Sequence, residues 1–107
     1  MQRGDTEKPL SAPVHPGEVL LEEFMAPLDL SARRLALALK VPANRISDIV
    51  RERRGITAET AIRLSAYFGT TAQFWLNLQT AYERDVVAER EAAIRAEIEP
   101  HPYRQGA

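Results

Sequence analysis

The stretch "SARRLALALKVPANRISDIV", residues 31–50, carries two short helical patterns separated by an abrupt break. Ser31 is a residue type whose hydroxyl suits the orphan amides at a helix start. Leu35, Ala36 and Leu39 follow at helical spacing and form one apolar face. Pro42 disfavours helical geometry at Val41 and pre-sets the start of the next helix, predicted over residues 43–52. That second helix has only a thin apolar stripe, Ile46 and Ile49. Asn44, Arg45, Ser47, Asp48 and Arg51 face elsewhere. An amide, a hydroxyl, a carboxylate and guanidinium groups side by side are costly to bury. They suit a surface that has to be read.

Outward from this pair, the pattern stays helical. "HPGEVLLEEFMAPL" places Pro16 at a first helical position and Glu18, Glu22 and Glu23 in the early turns, where the helix dipole favours anions. Pro27 predicts a stop near Met25. Downstream, "RRGIT" reads as a loop in which Gly55 takes a positive φ. Thr57 opens a fourth helix with Ala58, Ala61, Leu64 and Phe68 on its stripe, and Gly69 caps it. Thr70 and Gln73 stand at capping-box spacing before a fifth helix carrying Trp75, Leu78 and Tyr82. The helical pattern persists to Pro100, so an unbroken fifth helix would run about 28 residues, or ~42 Å. Alternating β-branched runs are missing, and the expected class is all-α. The expected organisation is a flexible lead over residues 1–14, a domain over 15–83, a helical extension over 84–99 and a disordered tail over 100–107.

Charge divides the chain. Residues 31–54 carry Arg33, Arg34, Lys40, Arg45, Arg51, Arg53 and Arg54 against Asp48 and Glu52, a net +5. Residues 1–30 sum to −4 and residues 55–107 to −2. A basic centre between acidic flanks points to a polyanion on one face and a different partner on the others. The whole chain has 107 residues and no cysteine, which excludes disulfides and thiolate metal sites. No run approaches a membrane span, and the first residues lack the apolar stretch of a secretory signal. The expectation is a soluble, cytoplasmic protein with no membrane partner.

Enzyme chemistry finds little support. His15 and His101 each adjoin a proline, and His15 with Glu18 makes a two-ligand pair too weak to hold a metal. No Ser or Thr has a convincing base in sequence, Glu22 and Glu23 point to different sides of a helix, and no glycine-rich phosphate loop is present. No enzyme activity, cofactor or metal is expected. Phe68, Phe74, Trp75 and Tyr82 offer a stacking platform for single strands, but their helical spacing fits a core stripe better.

Two short helices pinned by Leu35, Leu39, Val41, Ile46 and Ile49, with small Ala36 at the crossing, form a helix-turn-helix pattern. The N-terminal end of the second helix would then enter the major groove. The candidate base contacts are Ala43 on a thymine methyl, Asn44 on adenine, Arg45 on guanine or phosphate, and Ser47 and Asp48 on base edges. The candidate phosphate contacts are Ser31, Arg33, Arg34, Arg51, Arg53, Arg54 and Thr57.

"HPGE", "VPANRISDIV", "RRGIT", "TAIRLSAYFGT" and "FWLNLQ" together resemble the HigA-type antitoxins of the Xre/Cro-like (lambda-repressor-like) group over about residues 15–83. The resemblance implies a five-helix domain that forms a homodimer and binds palindromic operator DNA, repressing its own operon. It also implies a partner, a HigB-like toxin of RelE-like fold that cleaves messenger RNA. Two positions depart from the pattern. Lys40 stands where such proteins usually carry a glycine, at about 1 kcal/mol if φ is positive. Ala32, Arg33 and Arg34 stand where glutamine is common. The stripe of Trp75, Leu78, Tyr82, Val86, Val87 and Ile94 is the expected dimer surface. Glu18, Glu22 and Glu23, with the acidic tail, are the expected toxin surface, because a nuclease that targets RNA is basic. The rival readings are a stand-alone repressor without a toxin and a helical protein-interaction module that does not touch DNA.

Overall fold

The computed structural model describes residues 12–104. Residues 1–11 and 105–107, and with them most of the expected lead and the end of the expected tail, lie outside the described residues. Every regular element among those described is helical. α1 begins as Pro16–Val19 and widens into a π-helical stretch, Leu20–Met25. α2 spans Ala32–Leu39, α3 Ala43–Val50, α4 Ala58–Phe68 and α5 Ala72–Val87. A 3-10 turn at Ala88–Arg90 leads to a short α6, Glu91–Ala96, and Pro102–Arg104 forms a last 3-10 turn.

The expected 28-residue fifth helix is therefore interrupted. At Val87 and Arg90 the backbone leaves α-helical ψ, with values of 6° and 1°. No core lies beneath that segment to hold it straight, since nothing from Arg84 to Pro100 is buried. The capping box expected at Thr70 and Gln73 is replaced by a different arrangement. Thr71 is the N-cap, its Oγ1 accepting from Phe74 N at 3.0 Å. Thr70 Oγ1 instead accepts from the indole Nε1 of Trp75 at 2.7 Å, which satisfies the one polar atom of a fully buried tryptophan.

α2 packs on α3, α4 on α5, and α1 touches both α3 and α5. The core they enclose is Leu20, Met25, Leu35, Ala36, Leu39, Ile46, Ile49, Ile56, Ala61, Leu64 and Trp75. Phe24 centres an aromatic cluster beside it, 4.8 Å from Trp75, 5.0 Å from Phe68 and 6.0 Å from Phe74. These aromatics are committed to packing, which removes the single-strand stacking alternative.

α1, α2 and α3 end in the same way. Asp29, Lys40 and Glu52 adopt φ of 54°, 61° and 64°. After each, an amide reaches back five residues: Leu30 N to Met25 O, Val41 N to Ala36 O, and Arg53 N to Asp48 O. This is the Schellman closure, in which glycine is the usual left-handed residue. Three non-glycine residues fill it here. Gly55, expected at positive φ, is absent from that set; the left-handed turn falls three residues earlier, at Glu52.

Candidate nucleic-acid interface

α3 owes its placement to contacts on three sides. Below, Ile46 and Ile49 enter the core. Toward α1, Gly17 sits so close that a Cβ there would overlap the carbonyl oxygen of Ile49 and lie 3.0 Å from Val50 Cα. Gly17 is held by its neighbours: His15 caps α1, its Nδ1 accepting from Gly17 N at 2.9 Å, and the buried imidazole packs edge-on against Tyr82 at 4.7 Å. The "HPG" triplet is thus a cap, a first-turn proline and a close approach. The Nδ1 of His15 is engaged as a cap, and no group of three metal-ligating side chains forms among the described residues.

On the third side, the loop after α3 is tied to α5. Gln79 Oε1 accepts from Ile56 N at 2.7 Å. A Cβ at Gly55 would meet the Gln79 amide at 2.6 Å, so a side chain there would push that amide off Ile56 N; the constraint on Gly55 is this contact rather than φ. Gln79 and Gly17 were invisible as site residues in sequence. The only signal for Gly17 is its place inside "HPG", and for Gln79 there is none short of the fold.

The exposed side of α3 begins with Ala43 and Asn44, both solvent-facing, and continues through half-covered Ser47 and Asp48 to exposed Arg51. Pro42 provides no side-chain cap; Arg45 N donates to Pro42 O at 2.9 Å, which leaves the Ala43 and Asn44 amides of the first turn for an external acceptor. Ser47 Oγ donates to Asn44 O at 3.2 Å, which leaves its lone pairs outward. Asp48 lies 3.8 Å from Arg54. Ala43 and Ser47 share a notch with Arg33, between α2 and α3.

The expected phosphate contacts sort into two groups. Arg33, Arg34, Arg51, Arg53 and Arg54 are exposed around α3. Arg33 and Arg34 sit in the first turn of α2, where the helix dipole disfavours cations; a bound anion would reverse that penalty. Ser31 and Thr57 are caps: Ser31 Oγ accepts from Arg34 N at 3.1 Å, and Thr57 Oγ1 from Thr60 N at 3.4 Å.

Arg45, expected on guanine or phosphate, lies against α4 in this structure. Its Nη1 turns back to Thr60 Oγ1 at 3.2 Å on α4, with Glu59 Oε1 at 3.9 Å, away from the exposed face of Asn44. Trp75 is corrected as a dimer contact, because it has no exposed surface in the chain itself. Leu78 packs on the chain's own core and Tyr82 on His15. Val86 and Ile94 are 51% and 41% exposed, and Val87 with Ile94 lines an open groove completed by Arg84, Glu91, Arg95, Ile98 and Pro100. Among the expected toxin contacts, Glu22 and Glu23 are exposed and Glu18 is half-buried.

A helix-turn-helix family model matches residues 21–75. Virulence-associated protein I of Dichelobacter nodosus is 54% identical over 81 residues, covering 76% of this chain and 75% of that protein. Antitoxin HigA-1 of Vibrio cholerae is 39% identical over 71 residues, 66% of this chain and 67% of that one. The structure of Pseudomonas aeruginosa antitoxin HigA with the higBA promoter is similar at TM-score 0.76 and 53% identity, covering 82% of this chain and 97% of that one. The chain belongs to the helix-turn-helix family of Xre type, and its solved structural neighbours include HigA antitoxins.

Proposed function

We propose that this protein is an antitoxin that binds operator DNA as a homodimer, represses its own operon and neutralises a RelE-like, messenger-RNA-cleaving toxin. The observation that carries the reading is the uncovered polar face of α3. Asn44, Ser47 and Asp48 stand between arginines at the start of α2 and arginines beyond the end of α3. Base-edge donors and acceptors flanked by guanidinium groups are what major-groove reading requires. The relative solved with the higBA promoter supports it.

Two copies are needed for a palindrome, with reading helices about one DNA turn, ~34 Å, apart. Among the described residues Val86, Ile94 and Ile98 are exposed beyond the core, and Val87 lines an open groove with Ile94 and Ile98, which supports a dimer built on the extension. The acidic first helix, with Glu22 and Glu23 exposed, is the proposed toxin side.

A mobility shift on the upstream promoter region at two salt concentrations tests DNA binding. Affinity should fall with log salt, with a slope near −0.9 per neutralised phosphate. Charge reversal at Glu22 and Glu23 should slow association with the purified toxin in stopped-flow while operator binding is retained. A protein that binds its promoter but no toxin is a stand-alone repressor; one that binds a protein partner but no DNA is an interaction module.

A further inference from the structure

We infer that Arg45 clasps the recognition helix to α4 and sets its roll, and does not read a base; its DNA readout rests on the function proposed above. α3 has eight residues, no side-chain N-cap, and only Ile46 and Ile49 buried. Two isoleucines three apart form a single ridge. With half-buried Val50 and the Gly17 contact they fix the depth of the helix and hold its C-terminal end, while Ala43 and Asn44 in its first turn are exposed and leave the roll there less held. Arg45 precedes Ile46 by one residue and is displaced from it by about 100° around the helix. It is therefore placed to fix the roll.

The contacts run in that direction. Arg45 Nη1 donates to Thr60 Oγ1 at 3.2 Å, and Thr60 is buried. The same oxygen accepts from the Thr57 hydroxyl at 3.3 Å, and Thr57 is the N-cap of α4. Glu59 Oε1 lies 3.9 Å from Arg45 Nη1, while its Oε2 accepts from Arg63 Nη2 at 3.0 Å and Nε at 3.3 Å. Arg63 Nη1 in turn donates to Leu39 O at 2.9 Å, the last carbonyl of α2. One polar chain thus joins the end of α2, the first turns of α4 and the first turns of α3. Arg45 Nε is buried and meets no acceptor among the described residues, so the guanidinium's contacts in the chain are those of Nη1 on α4. To reach a base edge, the side chain would have to give up both Thr60 and Glu59.

The test uses the full chain with Arg45→Ala, the near-isosteric Thr60→Val, their combination, and Thr60→Ser, which keeps the hydroxyl. Operator affinity is measured on the operator and on its single-base-pair variants, and amide exchange of residues 43–50 is measured without DNA. Arg45→Ala and Thr60→Val should each weaken operator binding about tenfold, with the ranking of base-pair variants kept and the combination no worse than either alone. Thr60→Ser should recover most of the loss. In the free protein, exchange of the Ile46–Val50 amides should quicken about three- to tenfold in both single variants, with the thermal midpoint nearly unchanged. If Thr60→Val binds as the unaltered protein does while Arg45→Ala loses discrimination at one base pair, Arg45 is a reader and the clasp is overturned. Unchanged exchange in both single variants overturns it equally. Should the unaltered protein bind no promoter DNA, the function proposed above fails, and exchange alone decides the clasp.

Discussion

The reading head, residues 31–60, and the extension, residues 84–104, are both helical but are held by different means. In the head, every helix end except the start of α3 is closed by a side-chain cap or a left-handed residue, and Leu35, Leu39, Ile46, Ile49 and Ile56 are buried beneath. In the extension no residue from Arg84 to Tyr103 is buried. Its helices rest on exposed ion pairs such as Arg84–Glu91 at 3.6 Å and Arg95–Glu91 at 2.9 Å, while Ile98 is 65% exposed. Exposed ion pairs contribute little, about 0–1 kcal/mol each. The head is therefore shaped by its own chain, whereas the extension has apolar surface that awaits cover.

The sharpest break of this contrast lies outside both regions, at Gly17. Its α-carbon supports the C-terminal end of α3, and any side chain there meets the Ile49 carbonyl, which is backbone and cannot rotate away. Gly17→Ala should cost roughly 3 kcal/mol or more, visible as a lower urea midpoint. Operator binding should be lost in conditions where α4 and α5 remain folded. A variant as stable as the parent would mean that α1 can draw back from α3.

The extension is broken by charge rather than by overlap. Val87→Glu with Ile94→Glu should leave the thermal midpoint of the isolated chain nearly unchanged, because neither residue touches the core. The same pair should convert the dimer to monomer in light scattering and weaken operator binding through lost bivalency. Persistence of the dimer would move the interface elsewhere.

Within the head, affinity and specificity should separate. Asn44→Ala removes an exposed amide from α3 and should cost about 1–3 kcal/mol on the operator, with preference relaxed at one base pair. Arg54→Ala should weaken all sequences alike and make the salt slope shallower by about one contact. Equal, sequence-blind losses in both would show that Asn44 meets no base.

The same two regions show what could be read without coordinates. The paired helices were legible because the evidence was local: Ser31 is a cap, Pro42 is a break, and the Leu35–Leu39 and Ile46–Ile49 spacings are helical. The exposed face of Asn44 and Ser47 followed from that periodicity. The contact of Arg45 with Thr60, fifteen residues later, was not legible in the local pattern. Trp75 was read as a shared surface because periodicity identifies an apolar stripe and not what covers it. Gly55 was read as a turn glycine because its constraint comes from Gln79, twenty-four residues away. Lys40 is a case where the local signal pointed the right way: it takes the left-handed position, φ 61°, that a lysine fills only with strain. Lys40→Gly should therefore stabilise the chain by about 0.5–1 kcal/mol in urea unfolding, discounted for glycine's greater freedom when unfolded.

The smallest expected effect belongs to the extension and is a pH response. The hydrogen bond from Arg95 to Glu91, followed by the charges of Arg95 and Arg84, holds the Glu91 carboxyl below the usual carboxylate range. A depressed value in the folded state means that the ionised form supports the structure. The contribution is complete above the unfolded carboxylate's pKa, near 4.5, and is lost as pH falls through the lower folded value. Because Glu91 reaches Arg84 on α5 and Arg95 one turn along α6, acid should loosen the junction and the first turn of α6 and leave the core alone. Backbone amide shifts of Glu91–Ala96 should move toward coil as pH drops from about 5 to about 3, while the indole of Trp75 stays at its native shift. Glu91→Gln should abolish the pH dependence and hold α6 in its acid-side state throughout. If the amides of α6 are indifferent to pH, or if Trp75 moves with them, the extension is not the separately held element that its exposed ion pairs imply.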